Sequence, residues 1–339
     1  MTVEILDQYF ENLKAEIIPL VKEITSKELP YDTTFLSKDY PIEKQREFCM
    51  ELLKDIGFDF GAGIVKESVH PFTSGINKND VRLTIKYVED ALVTAMFSCA
   101  HEGGHGIYEQ NIDDDLLYTD LDQGVSSGIH ESQSRLFENI LCRSKVFWQA
   151  YLPKLKGYFP EQLKDTSLED FYAGINKVKN SFIRIEADEL TYSLHIIIRY
   201  EIEKAIMNNE VTVDELPTLW NQKVKEYLGL DVEEDELGIL QDVHWSVWLF
   251  GYFPTYSIGS AYASQFAHSL RKEIDFDECI AKGQFYVVKE WLGANIHRYG
   301  SLYPPKEIIT KATGEDFSSK YYIDYLKNKY SELYGLKES

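Results

Sequence analysis

The chain has 339 residues, 44% of them hydrophobic, and a formal net charge of -21 from 56 acidic and 35 basic residues. That apolar content can bury a large core, which excludes a disordered chain. The acidity excludes a nucleic-acid surface and an anionic membrane surface, since both need clustered Lys and Arg.

The opening MTVEILDQYF has no basic region ahead of an apolar run, so no secretory signal is expected. Apolar residues then recur at helical spacing (Leu6, Tyr9, Phe10, Leu13, Ile17, Leu20, Val21, Ile24), and Pro19 predicts a kink or two helices. Residues 30–41 read as a loop, and Pro41 opens a second helix that ends near Gly57. Gly61 and Gly63 mark a turn. Ile64-Val65 and Val69-His70-Pro71-Phe72 read as a strand ending at a proline, and Val81, Leu83, Ile85 and Tyr87 alternate with polar residues as a half-buried strand. The simplest sheet is a small antiparallel hairpin with residues 73–80 as its loop. From Glu89 to about Asn111 a helix is predicted that is apolar nearly all round, hence buried. An acidic loop begins at Asp113, and another helix runs from about Ser127 to Arg143. Further helical patterns cover roughly 168–208, 212–228 and 233–250, and shorter helices follow with a break at Pro304-Pro305. No repeat, linker or run near the ~20 apolar residues of a membrane span appears. The class is mainly α with a small β-sheet, in one domain over residues 1–339. Cys49, Cys99, Cys142 and Cys279 are scattered and form no CxxC pair, the usage of a cytoplasmic protein with reduced thiols.

His101-Glu102-Gly103-Gly104-His105 is an HExxH pattern within the helix predicted to be buried. Spacing of four puts both imidazoles on one face, one turn apart, where both reach one metal. Glu102 lies beside that face, placed to take a proton from water. Two unpartnered polar rings would be costly among so many apolar neighbours, which argues against a purely structural pair. A hydrolytic zinc site needs a third protein ligand. Glu131 lies 26 residues after His105, a span that suits a helix–loop–helix return, and competes on spacing with Glu138 two turns further on. His130 is a third candidate, better read as a buried structural histidine. Glu138 would then stand behind the ligands and support them.

These residues belong to a longer series: His70-Pro71-Phe72, Asp80-Val81-Arg82-Leu83-Thr84, HEGGH, His130-Glu131-Ser132-Gln133-Ser134, Ile183-Arg184-Ile185-Glu186-Ala187-Asp188, and Gly238-Ile239-Leu240-Gln241-Asp242-Val243-His244-Trp245. In this order the series resembles the thermostable carboxypeptidases of the carboxypeptidase Taq type, and the resemblance covers essentially the whole chain. It implies a neurolysin-like helical groove, a bound zinc with cobalt as the alternative, and broad removal of C-terminal residues from peptides by a homodimer. It puts the third metal ligand on Glu131. Family members also carry an N-terminal helical region ahead of the HPF motif. With His70 so early, that region is expected to be absent.

The same resemblance implies that Arg184 holds the substrate's terminal carboxylate, for which a guanidinium fork is suited. A structural ion pair with Glu186 or Asp188 is its alternative. Arg82 is a second candidate clamp, more simply read as paired with Asp80. His244 and Tyr256, 12 residues apart, match the His and Tyr that in related peptidases donate hydrogen bonds to the carbonyl oxygen. Tyr252 could replace Tyr256, and Gln241 and Asp242 are expected to orient His244. His70 is either a substrate-side contact or a core histidine capping the hairpin. His195, His268 and His297 are read as structural or exposed. The alternatives to exopeptidase action are an endo-acting oligopeptidase and an inactive metal-containing peptide-binding protein.

Overall fold

The structure, a computed structural model, describes residues 1–336. Its helices are α1 (Val3–Thr25), α2 (Ile42–Ile56), α3 (Leu92–Gln110), α4 (Ser127–Arg135), α5 (Lys145–Tyr158), α6 (Leu168–Ile175), α7 (Glu189–Met207), α8 (Leu216–Leu228), α9 (Pro254–Glu273), α10 (Phe276–Ala281), α11 (Tyr286–Asn295), α12 (Pro305–Thr313) and α13 (Lys320–Leu333). The strands are β1 (Gly63–Glu67), β2 (Phe72–Asn77) and β3 (Asp80–Ile85). Mainly α with a small sheet is thus the observed class. Among the described residues no helix is long and apolar enough to cross a membrane.

The chain forms two compact units. One comprises Met1–Leu29, Asn176–Ile258 and the residues from Ser319 on; the other comprises Pro30–Ile175 and Gly259–Ser318. In the first, α7 is buried along most of its length and packs on α1 and α8. Of the kink or two helices expected at Pro19, the second does not occur: α1 is one helix. Leu20, Val21 and Ile24 continue the buried face of Leu13 and Ile17, and this packing outweighs the hydrogen bond that proline removes.

In the second unit α3 packs against β3, β2, α2 and α4. The sheet differs from the expected hairpin. Its order is β1-β3-β2, with β1 parallel and β2 antiparallel to β3. Most of the expected loop is therefore strand β2. Its sequence FTSGIN carries no alternation of its own; pairing with β3 (Phe72↔Thr84, Thr73↔Leu83) defines it. On β3, Val81, Leu83 and Ile85 are buried as predicted.

Two expected helices are interrupted. Helix α6 ends at Ile175, and α7 begins only at Glu189, after Asp188, whose carboxylate accepts from the backbone N–H groups of Leu190 and Thr191 as an N-cap. Asp188 is thereby engaged in capping and does not pair with Arg184. Residues 233–250 form turns and one short 3-10 segment, Trp245–Val247, instead of a helix. Here side-chain contacts of Gln241, Asp242 and His244 fix the backbone, and Trp248 and Gly251 take positive φ.

Candidate metal centre

The buried helix α3 presents His101 and His105 on one face, and α4 presents Glu131 opposite. One donor atom from each lies within 4.8 Å of the others. Glu131 Oε2 is 3.7 Å from His101 Nε2 and 3.6 Å from His105 Nε2. A tetrahedral ion with ligand bonds near 2.0–2.2 Å wants donors roughly 3.4 Å apart. Two imidazoles and a carboxylate at this spacing fit a divalent metal such as zinc. On spacing Glu131, Glu138 and His130 competed; the structure groups Glu131 with the two histidines.

Glycine makes this approach possible. A Cβ at Gly104 would lie 2.7 Å from the carbonyl oxygen of Gln133 and 2.7 Å from Ser134 Cα, both main-chain atoms of α4. A Cβ at Gly259, on α9, would lie 2.4 Å from Glu131 Cγ. The two glycines leave α4 and the Glu131 side chain the room they occupy.

Each donor is held from behind. Glu131 Oε1 accepts from Arg135 Nε at 2.7 Å. His101 Nδ1 meets Glu138 Oε2 at 2.8 Å, and Arg135 Nη1 donates to the same oxygen at 3.2 Å. Glu138 stands on a π-helical turn, Leu136–Leu141, that ends α4 differently from the continuous helix expected to Arg143. His130 is part-buried, and its Nδ1 lies 2.7 Å from His105 Nδ1.

Burial opposes charge on the Glu131 carboxyl, but Arg135 and the two histidines outweigh it and hold the group well below the usual carboxylate range. Burial likewise works against Glu138, yet Arg135 and His101 keep it at about 2. Burial draws His105 down to about 3, leaving a neutral ring with a lone pair to give. For His101 burial is overcome by Glu131 and Glu138, which raise it. Glu102 is 7% exposed; burial pushes its carboxyl up, and Thr73 Oγ1 on β2 donates to its Oε2 at 2.6 Å.

In the other unit the structure brings together Arg184, Asp242, Gln241, Arg199, His244 and Tyr256. Asp242 Oδ1 accepts from Arg184 Nε and Nη2 at 3.1 and 2.9 Å, and its Oδ2 accepts from Arg199 Nε at 2.6 Å. Gln241 Oε1 accepts from the Arg184 backbone N–H and from Arg199 Nη2, both at 2.8 Å. The partner of Arg184 is therefore Asp242, neither Glu186 nor Asp188. Gln241 and Asp242 orient the two arginines instead of His244, whose Nδ1 is 3.9 Å from Asp242 and makes no hydrogen bond. His244 Nε2 and Tyr256 OH are 3.0 Å apart, joining the pair expected from their spacing. Burial, aided by Arg184, lowers the His244 pKa, so the ring is neutral.

Arg82 is exposed and forms a two-pronged pair with Asp80, with Nε and Nη2 each at 2.8 Å. His70 is also exposed, in the bend between β1 and β2, where its carbonyl accepts from Ser68 Oγ. It is not a strand residue, and it does not cap a core. His195 and His297 are buried and His268 exposed, as expected.

The chain is similar to known proteins along its whole length. Residues 1–330 match the family model described as Carboxypeptidase Taq (M32) metallopeptidase. The chain belongs to this family. It is 51% identical to Carboxypeptidase 1 of Bacillus subtilis, over 99% of this chain and 67% of that protein. It is 40% identical to Thermostable carboxypeptidase 1 of Thermus thermophilus, over 96% of this chain and 64% of that one. The crystal structure of the M32 carboxypeptidase from Deinococcus radiodurans superposes with a TM-score of 0.96 at 37% identity, covering 99% of this chain and 68% of the other. The chain thus spans about two thirds of the length of these relatives. The family is one of metallocarboxypeptidases, which are hydrolases, and its solved members share this helical fold.

Several supporting residues of this family member were not evident in the sequence. Arg199 is fully buried; its signal was a charge directly following the apolar run Ile196-Ile197-Ile198. Two consecutive glycines inside a helix, unfavourable by about 1 kcal/mol each, signal a packing need at Gly103 and Gly104. Thr73 left no signal, because its role depends on β2 lying beside α3.

Proposed function

We propose that this chain hydrolyses the C-terminal peptide bond of peptides with broad specificity, as a zinc enzyme in which cobalt can substitute. The observation that carries this is the convergence of His101 Nε2, His105 Nε2 and Glu131 Oε2, with Glu102 next to the first ligand on the same helix. These three residues would hold the metal. When bound, it supplies Lewis acidity that polarises the scissile carbonyl and acidifies water.

Glu102 accepts the proton as water oxygen attacks the carbonyl carbon, then delivers it to the leaving nitrogen as the C–N bond breaks. Thr73 fixes the rotamer of that carboxylate. His244 and Tyr256 are assigned to donate hydrogen bonds to the carbonyl oxygen as it gains charge, a role that suits neutral donors. Arg184 is assigned to the terminal carboxylate. Its bonds to Asp242 and Tyr192 engage three of its five N–H groups, so two remain for a ligand. Arg82, already paired with Asp80, is the weaker clamp; His70 is assigned to a substrate-side contact. We further assign residues 1–339 to one catalytic domain, acting as a homodimer in the cytoplasm. The four free cysteines are consistent with a reducing compartment.

The test is metal content together with release of the last amino acid from an N-blocked dipeptide. One metal per chain and cleavage of the free acid, with refusal of its C-terminal amide, is expected. Cleavage of both would indicate an endo-acting oligopeptidase, and metal without cleavage a peptide-binding protein.

A further inference from the structure

Each ligating histidine has a second ring nitrogen turned away from the metal position, and the two are treated differently. His101 Nδ1 meets a carboxylate directly, Glu138 at 2.8 Å. His105 Nδ1 instead meets a second imidazole, His130 Nδ1, at 2.7 Å, and His130 Nε2 reaches Glu109 Oε1, also at 2.7 Å. His105 and Glu109 stand one turn apart on α3, and His130 is on α4, so the series lies within one unit.

The direction of these bonds follows by elimination. If His105 Nε2 offers its lone pair to a metal, its hydrogen is on Nδ1, which donates. His130 Nδ1 must then accept, which places the His130 hydrogen on Nε2, and that group donates to Glu109. The Gly124 backbone N–H donates to the same Glu109 oxygen at 3.2 Å. Tyr108 packs edge-on against the His130 ring, centroids 5.0 Å apart. A Cβ at Gly124 would fall 2.7 Å from His130 Cδ2, so glycine lets this loop close over the pair. The side chains of His130 and Glu109 remain 25% and 19% exposed, so water alone could satisfy them. Both nonetheless engage each other, and His130 reaches His105, through short hydrogen bonds.

We propose that His130 and Glu109 are positioning residues that fix the ring of His105 and strengthen its Nε2 as a ligand, an inference that rests on the metal site proposed above. Outer partners of metal-bound histidines typically contribute 10- to 100-fold in affinity.

The experiment is chelator competition for Zn2+ on the full chain, with the visible spectrum of the Co2+-loaded protein as a second readout. His130→Leu, which removes the acceptor, should raise Kd about 10- to 100-fold and alter the Co2+ spectrum. His130→Asn, whose Oδ1 can accept in place of Nδ1, should recover most of both. Glu109→Gln should weaken binding about tenfold alone, and add nothing in the His130→Leu background, because the link is already cut. Wild-type chain that binds no zinc would overturn the metal site itself. Zinc-binding wild type with an unchanged Kd in His130→Leu, or an additive Glu109→Gln effect, would overturn the relay alone. If His130→Leu does not fold, Glu109→Gln decides: an unchanged Kd refutes the proposal.

Discussion

Replacing Gly104 with alanine should damage metal binding far more than folding. The added Cβ would sit 2.7 Å from Gln133 O and Ser134 Cα and 3.0 Å from Gln133 C. All are main-chain atoms and cannot rotate away. Ordinary contact begins at 3.4 Å, so α4 must withdraw locally by about 0.7 Å. Glu131 is two residues before Gln133 and moves with it. Its Oε2 is already 3.6 and 3.7 Å from the two Nε2 atoms. Withdrawal stretches those separations to as much as roughly 4.3 Å, where bonds near 2.1 Å no longer span a tetrahedral site. Overpacking costs about 1–3 kcal/mol, but alanine regains about 1 kcal/mol over glycine in a helix interior. We therefore expect metal-free stability to fall by about 0–2 kcal/mol and zinc Kd to rise at least about tenfold. Gly103→Ala is the control, since its Cβ would meet Leu53 Cδ2 at 2.6 Å and Ile56 Cδ1 at 3.2 Å, ends of side chains that can turn aside. Chelator competition and denaturant unfolding of both variants test this. A wild-type Kd in Gly104→Ala, or an equal loss in Gly103→Ala, would refute the reasoning.

Three further outcomes are expected. Glu102→Gln should keep its zinc while kcat on a blocked dipeptide falls about 10²- to 10⁴-fold, because shape is preserved and the proton acceptor is not; near-normal turnover would remove Glu102 from the mechanism. Arg184→Lys keeps a charge beside Asp242 but loses the fork, so kcat/KM should fall about tenfold or more on free-acid peptides and little on amidated ones; equal losses would make Arg184 structural. His297 is fully buried, with Nε2 on Gln133 Oε1 and Nδ1 unpartnered, and burial depresses it to about 3. Below pH ~6.5 the unfolded chain takes up a proton that the folded chain refuses until about pH 3. Stability from this group is thus intact above ~6.5 and declines toward pH 3, by at most on the order of 5 kcal/mol. Urea unfolding at pH 7, 5 and 4 should show a shallower decline in His297→Gln, and an unchanged slope would reject the assignment.

The metal cluster was legible because it is local. HExxH needs only a helix to align two rings, and α3 forms where its apolar residues required. The choice among Glu131, Glu138 and His130 was not legible from spacing. It depends on how closely α4 approaches, which Gly104 and Gly259 govern through contacts remote in sequence. Arg184 was similarly placed on a helix, with its chain neighbours Glu186 and Asp188 as the alternative partners to a substrate carboxylate. Its real partner, Asp242, is 58 residues away, and that attachment with Gln241 turns both segments out of helical form. Periodicity sees side chains that pack on a face. It does not see a backbone held by a buried carboxylate between two arginines. Strand β2 failed for a related reason, since its register comes from β3 and not from its own pattern.

Every donor and supporting residue of the metal cluster lies in the unit made of residues 30–175 and 259–318, whereas Arg184, His244 and Tyr256 belong to the other. The hydrogen bonds from Arg135 to Glu131, between Glu138 and His101, and between His130 and His105 close within that same unit. Those of Arg184 and His244 close on Asp242, Tyr192 and Tyr256. Affinity for the metal and handling of the substrate should therefore separate in variants. His244→Ala or Tyr256→Phe should leave zinc Kd within about twofold while lowering kcat about 10²-fold, the scale of losing one donor to a developing oxyanion. A change in zinc Kd on substituting His244 would show that the two networks are coupled, and that His244 acts on the metal rather than on the substrate.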